Sequence, residues 1–168
     1  MLALKQRLRE VRENEEGFTL IELAVVILII GILLAIAIPT FLGVRKSADD
    51  RAAQTGARNA YTNAKTIFSD QNQNSYAVVT PALVQAAAPE LVINNETTAS
   101  TKPTEVSIDT LTATVFVAAA MSNSGKCFAI KEDITAGVTY QTLASGSATA
   151  CTGAALKATA AASWLTKW

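Results

Sequence analysis

Histidine is absent from this chain of 168 residues. Zinc centres draw on histidine or on several cysteines, and Ser-His and Cys-His nucleophile pairs need the imidazole, so neither chemistry has a basis here. No P-loop, dinucleotide fingerprint or calcium-loop pattern replaces them. No catalytic residues, no metal and no cofactor are therefore expected. An excess of either charge is also missing, since 14 basic residues are matched by 14 acidic ones. That balance argues against a nucleic-acid binder, which needs a basic patch. Aromatic residues make up only 6% of the chain, so a soluble domain has few large side chains to bury. Cysteine is scarce too, with Cys127 and Cys151 alone. Two cysteines pair in one way or remain two buried thiols. Paired, they close a loop of about 25 residues, worth about 3.5 kcal/mol in the chain-entropy model. Such a bond belongs outside a reducing cytosol.

One feature is present in quantity. Leu23–Val44 is a run of 22 residues without a charge. As a helix it covers about 33 Å, against a hydrocarbon core of about 30 Å. Glu22 sits at its N-terminal edge. An acid at a bilayer centre costs roughly 2.5–3.5 kcal/mol on insertion scales and less near the edge. A retained charge at that place points to a partner in an assembly. No Ala-x-Ala cleavage site follows the run, so the apolar segment is expected to stay in the protein. Lys5, Arg7, Arg9 and Arg12 precede it, and Arg45, Lys46, Arg51 and Arg58 follow it. Positive charge thus leaves the orientation nearly tied. The cysteines break the tie and place the C-terminal part outside.

Beyond the run, Ala53, Ala57, Ala60, Tyr61, Ala64, Ile67 and Phe68 recur at helical spacing. Pro39 can kink a helix in a membrane without ending it. The pattern predicts one helix from about Phe18 to about Asp70, half apolar all round and half amphipathic. A short helix is expected over Pro81–Ala88, stopped by Pro89, and an exposed Thr/Ser/Asn loop over Asn94–Pro103. That loop includes Asn95-Glu96-Thr97, an N-glycosylation pattern most simply read as an unmodified loop. Strand signals cover Thr104–Ile108, Leu111–Met121, Lys126–Lys131 and Val138–Leu143, with turns at Asn123-Ser124-Gly125 and Asp133–Gly137. The fold class is α+β: a long N-terminal helix whose second half packs on a three- or four-stranded antiparallel sheet in two layers. Ser145–Ala162 is rich in small residues and shows no period. Phe41, Tyr61, Phe68 and Tyr76 are read as packing residues, and Trp164 and Trp168 as anchors for the tail.

Gly17-Phe18-Thr19-Leu20-Ile21-Glu22-Leu23, followed by Gly31 and Pro39, closely resembles the N-terminal region of type IV pilin precursors. The match is specific over about Gly17–Phe41, and the remainder is similar in plan only: long helix, sheet, C-terminal cysteine pair. The resemblance implies a cytoplasmic leader 1–17, a transmembrane and assembly helix 18–44, and an extracytoplasmic pilin domain 45–168 that includes the second half of the helix. It implies cleavage between Gly17 and Phe18 by prepilin peptidase and N-methylation of Phe18. Glu22 would then pair with a terminal ammonium during assembly, and Gly31 and Pro39 would bracket a segment that can lose helical structure in the filament. The implied partners are further copies of the chain in a homopolymer, the inner-membrane pilus machinery, and lipid before assembly. The product is a surface pilus for adhesion, twitching movement or DNA uptake. Many leaders of this family carry a basic residue before the glycine, where this chain has Glu15-Glu16. A pseudopilin of a secretion or competence system is the related alternative. A single-pass membrane-anchored binding domain is the alternative of another class.

Overall fold

The computed structural model describes residues 18–70, 75–110, 112–147 and 150–168. The chain divides into two compact units, one ending at Gly43 and one spanning Val44–Trp168. Helix α1, Leu20–Asp70, runs through both. In the first unit the helix is apolar on every side, and its large side chains from Leu20 to Leu42 are exposed. It is long and apolar enough to cross a membrane. Proline removes one helical hydrogen bond, yet α1 continues through Pro39 and through Gly31.

In the second unit, α1 buries one stripe of small residues: Ala53, Gly56, Ala57, Ala60 and Ala64, ending in Phe68. Small residues let a helix lie close to its neighbour. At Gly56 there is no room for a side chain, because a Cβ there would sit 2.4 Å from the Pro103 carbonyl oxygen. The other end of the contact is polar. Asp50 accepts hydrogen bonds from Ser122 (2.7 Å), Ser124 and Lys126 (2.8 Å), tying α1 to the turn at 122–125. Helix α2, Pro81–Ala87, starts as its sequence demands, with Thr80 accepting from the Leu83 amide and Pro81 in the first turn.

The sheet has five strands in the order β1-β2-β3-β4-β5. They are β1 Val92–Asn94, β2 Glu105–Asp109, β3 Val115–Met121, β4 Cys127–Asp133 and β5 Gly137–Leu143. The last four form an antiparallel meander, as expected. Gly125 and Gly137, both with φ of 87°, supply the left-handed residue at the β3–β4 and β4–β5 turns. Strand β1 is the addition, and it pairs with β2 in parallel. Three residues show no alternation to read. The strand is held from outside its own sequence by Gln85, which accepts from the Ile93 amide (2.8 Å) and donates to the Leu91 carbonyl (2.6 Å). The neighbouring Thr/Ser/Asn segment is exposed at Thr97, Thr98, Thr101 and Lys102. It is nevertheless pinned at Ser100, which is 1% exposed, donates to the Glu105 carbonyl and accepts from the Met121 amide.

The expected two layers are three. Val106, Ile108, Phe116, Ala118, Ala120, Phe128 and Ile130 pack with the α1 stripe. Val117, Ala119 and Ala129 face the opposite way, onto Cys127, Cys151, Leu156 and Trp164. The 150–165 segment supplies this third layer through helix α3, Gly153–Lys157. Five residues are too few for a helical period, which is why the segment gave no pattern. The signal lay elsewhere, in the unbroken apolar run Val115–Met121: a strand covered on both faces does not alternate.

A buried carboxylate joins the layers at one end. Glu132, 7% exposed, takes hydrogen bonds from Lys65 of α1 (2.5 Å) and from the Tyr76 hydroxyl. The Tyr61 hydroxyl bonds it as well. Burial pushes the Glu132 carboxyl up, and the bonds from Lys65, Tyr76 and Tyr61 outweigh it and hold it below its usual range. Burial, then the adjacent carboxylate, raises both tyrosines well above theirs. A depressed folded pKa stabilises the fold above the unfolded glutamate value of about 4.3, and that contribution is lost as pH falls through the folded value. The urea midpoint should therefore drop between about pH 5 and about pH 3. Glu132→Gln should have a lower midpoint at neutral pH and a shallower drop, with Asp50, Glu105 and Asp133, also depressed, supplying the remainder. An unchanged pH slope in Glu132→Gln would contradict this reading.

Candidate assembly site

The N-terminal turn of α1 is a capping box. Thr19 stands immediately before the helix, and its carbonyl accepts from the Leu23 amide (3.2 Å). Its hydroxyl oxygen accepts from the Glu22 amide (3.2 Å). In return, Glu22 Oε2 accepts from the Thr19 amide (2.8 Å) and hydroxyl (2.7 Å). A helix start leaves four amides without intrahelical partners, and this reciprocal pair satisfies two of them. The Glu22 carboxylate also lies at the positive end of the helix dipole. Sequence reasoning singled out Glu22 as a charge and missed Thr19, although Thr-x-x-Glu before an apolar run is a readable signature.

Around the box the surface is apolar. Phe18 is 86% exposed, and Leu20, Ile21, Val25 and Val26 are exposed as well. Glu22 is therefore one carboxylate on an otherwise uncharged face, and the amide it accepts from belongs to Thr19, the residue next to Phe18. The other residues singled out are spread along the chain. Gly17 lies outside the described residues. Gly31 has no atom within 4 Å of a Cβ built on it, so it makes no close approach in this unit. Pro39 and the exposed Phe41 lie further along the same helix.

Cys127, at the start of β4, is bonded to Cys151, just before α3. Both are buried, at 3% and 2% exposure. Together with the Ser100 amide, which donates to the Cys151 carbonyl (2.9 Å), and the Gly153 amide, which donates to Ser107 Oγ (3.0 Å), the bond fixes the start of the third layer. Among the described residues no cluster of acidic or cysteine side chains is arranged to hold a metal ion.

Residues 12–38 match the family model for the prokaryotic N-terminal methylation motif. Its span holds the capping box and the first part of the apolar run. Over this N-terminal part the chain is similar to type IV pilins. Over 69 residues, 41% of its length, the chain is 41% identical to the type IV major pilin protein PilA of Myxococcus xanthus. It is 43% identical over 74 residues to the type IV wide pilus major component PilA4 of Thermus thermophilus. It is 51% identical over 49 residues to the narrow pilus major component PilA5 of the same organism. These alignments cover 31%, 53% and 42% of the three relatives. No solved structure matches the chain.

Proposed function

We propose that this chain is the precursor of a structural subunit of a type IV pilus, and that its work is polymerisation. The observation that carries the proposal is the first unit: an exposed apolar helix long enough to span a bilayer, with a single carboxylate in its first turn, inside a methylation motif. The relatives are named as major pilus components, which supports an architectural role.

In this reading residues 1–17 are a cytoplasmic leader removed by prepilin peptidase after Gly17. Phe18 becomes the mature N-terminus and is methylated there. An N-terminal amine has a pKa of about 8 and stays largely cationic near neutral pH. The new ammonium lies one residue from the Thr19 amide that Glu22 already bonds, so the carboxylate and a cation of its own chain or of a neighbour can meet. In the lipid reservoir the carboxylate is costly. In a filament it meets the ammonium of a neighbouring copy, and an unpaired buried charge at that point costs about 3–5 kcal/mol. That penalty sets the register between subunits while the apolar helices pack together. Residues 18–44 serve as membrane anchor and then filament core, with Gly31 and Pro39 as the points where the helix can loosen. Residues 45–168 form the outer surface, available for adhesion, twitching movement or DNA uptake, and the inner-membrane pilus machinery drives the exchange.

Electron microscopy of sheared cell-surface material, with the subunit identified by mass spectrometry, tests this. Long filaments built of this chain support it. Confinement of the chain to the cell envelope would favour a pseudopilus subunit, and a monodisperse membrane protein would favour an anchored binding domain.

A further inference from the structure

Residues 159–168 run against the free edge of the sheet and pair with it at one residue. Strand β5 is its last strand. Outside the meander, the Tyr140 amide donates to the Leu165 carbonyl and the Leu165 amide donates to the Tyr140 carbonyl, each at 2.7 Å. Backbone groups of one strand residue point to one side, so Val138 and Thr142 share this outward direction with Tyr140. Among the described residues, Tyr140 alone of the three has a backbone partner there.

The segment is held on both faces of the sheet. Trp164 is buried in the α3-side cluster, and the Lys131 ammonium lies 4.3 Å from its ring centroid. Trp168 packs on the opposite, α1-side cluster, edge-on to Phe128 and Tyr140, with the Arg58 guanidinium 5.0 Å from its ring centroid. The chain crosses from one face to the other at Leu165. Gln141, itself buried, serves both sides. Its side chain donates to Ser163 Oγ (2.8 Å) and lies 3.0 Å from the Thr159 hydroxyl, and its carbonyl accepts from Trp168 Nε1 (3.1 Å). Leu165 is exposed, so its place is fixed by the edge pairing and the two flanking indoles.

An open strand edge is a template for another chain. At the opposite end, β1 offers three residues, whereas β5 offers seven. We infer that the 159–168 segment is an edge guard: a strap that occupies the pairing edge of β5 and prevents it from pairing with the same edge of a second copy. The edge guard belongs to the C-terminal domain and does not depend on the pilin reading.

The test uses the full chain in detergent. Trp164→Ala/Trp168→Ala releases both anchors. Leu165→Pro keeps both indoles and removes one edge donor, so it serves if the double variant fails to fold. Ile130→Val is a core control that weakens the domain and leaves the strap alone. Backbone amide exchange at Tyr140 should accelerate at least about tenfold in a strap variant, with little change at Ala119 in β3. Sedimentation should show a concentration-dependent heavier species, absent in the unaltered chain and in Ile130→Val. Tyr140 exchange at the unaltered rate would overturn the guard. So would a released edge whose chain keeps the mass of the unaltered protein, or an Ile130→Val control that associates equally.

Discussion

Glu22→Gln should leave a membrane-inserted, processed protein that makes few or no surface filaments. The substitution isolates the charge. Glutamine at the third helical position still bonds back to the amide at the cap, as the capping box allows either residue. What it removes is the anion that an N-terminal ammonium would meet. An unpaired partner in a buried ion pair costs about 3–5 kcal/mol, and a penalty of that size repeated at every subunit weakens each addition by a factor of roughly 150 or more, since 1.4 kcal/mol is about tenfold. Thr19→Ala is the complementary variant. It removes the hydroxyl that accepts from the Glu22 amide and keeps the carboxylate. Cap loss costs about 1 kcal/mol, so most filaments should persist. Filament counts by electron microscopy, with pilin levels and leader removal checked by immunoblot, separate the two roles. Normal filaments from Glu22→Gln with few from Thr19→Ala would mean that the carboxylate serves the helix cap and nothing else.

The second large effect is expected from Cys127→Ala/Cys151→Ala. The two cysteines are 24 residues apart, and closing such a loop removes about 3.5 kcal/mol of unfolded-state entropy in the chain-entropy model. For a domain of this size that corresponds to a fall in thermal midpoint of roughly 10–15 °C. The loss should be uneven. Cys151 leads directly into Thr152, whose hydroxyl caps α3 by accepting from the Ala155 amide, and into Gly153, where a Cβ would sit 2.6 Å from the Asp109 amide nitrogen. Without the covalent tie the third layer loosens first. Limited proteolysis should then cut in the 145–168 stretch before it cuts α1 or β3. A midpoint within about 2 °C of the unaltered chain would show that packing and hydrogen bonds hold the layer unaided.

How much of this was legible depends on whether a feature has a period. The long helix was, since 22 uncharged residues and an alanine stripe at helical spacing leave few alternatives; the structure starts it at Leu20, two residues after the expected Phe18. The four meander strands were legible from β-branched residues and glycine turns, although β3 begins at Val115 and not at Leu111. Strand β1 was not, because its three residues are placed by Gln85 and by the β2 edge. Helix α3 was not, because the disulfide and the Ser107 contact hold it where five residues of sequence cannot. Glu132 reads as one charge among several in Lys131-Glu132-Asp133. Only the arrival of Lys65, Tyr61 and Tyr76 from distant segments makes it a buried hub. At the candidate site the acid was legible as a misplaced charge, and its intramolecular partner Thr19 was overlooked.

The central claim is that the Glu22 carboxylate works beside an N-terminus newly made at Phe18. The mass of the N-terminal peptide of the chain, recovered from cell membranes or sheared filaments, tests this most directly. The expected peptide begins at Phe18 and carries one additional methyl group. A peptide that retains Gly17 and the residues before it would mean that Glu22 has no new N-terminus to meet.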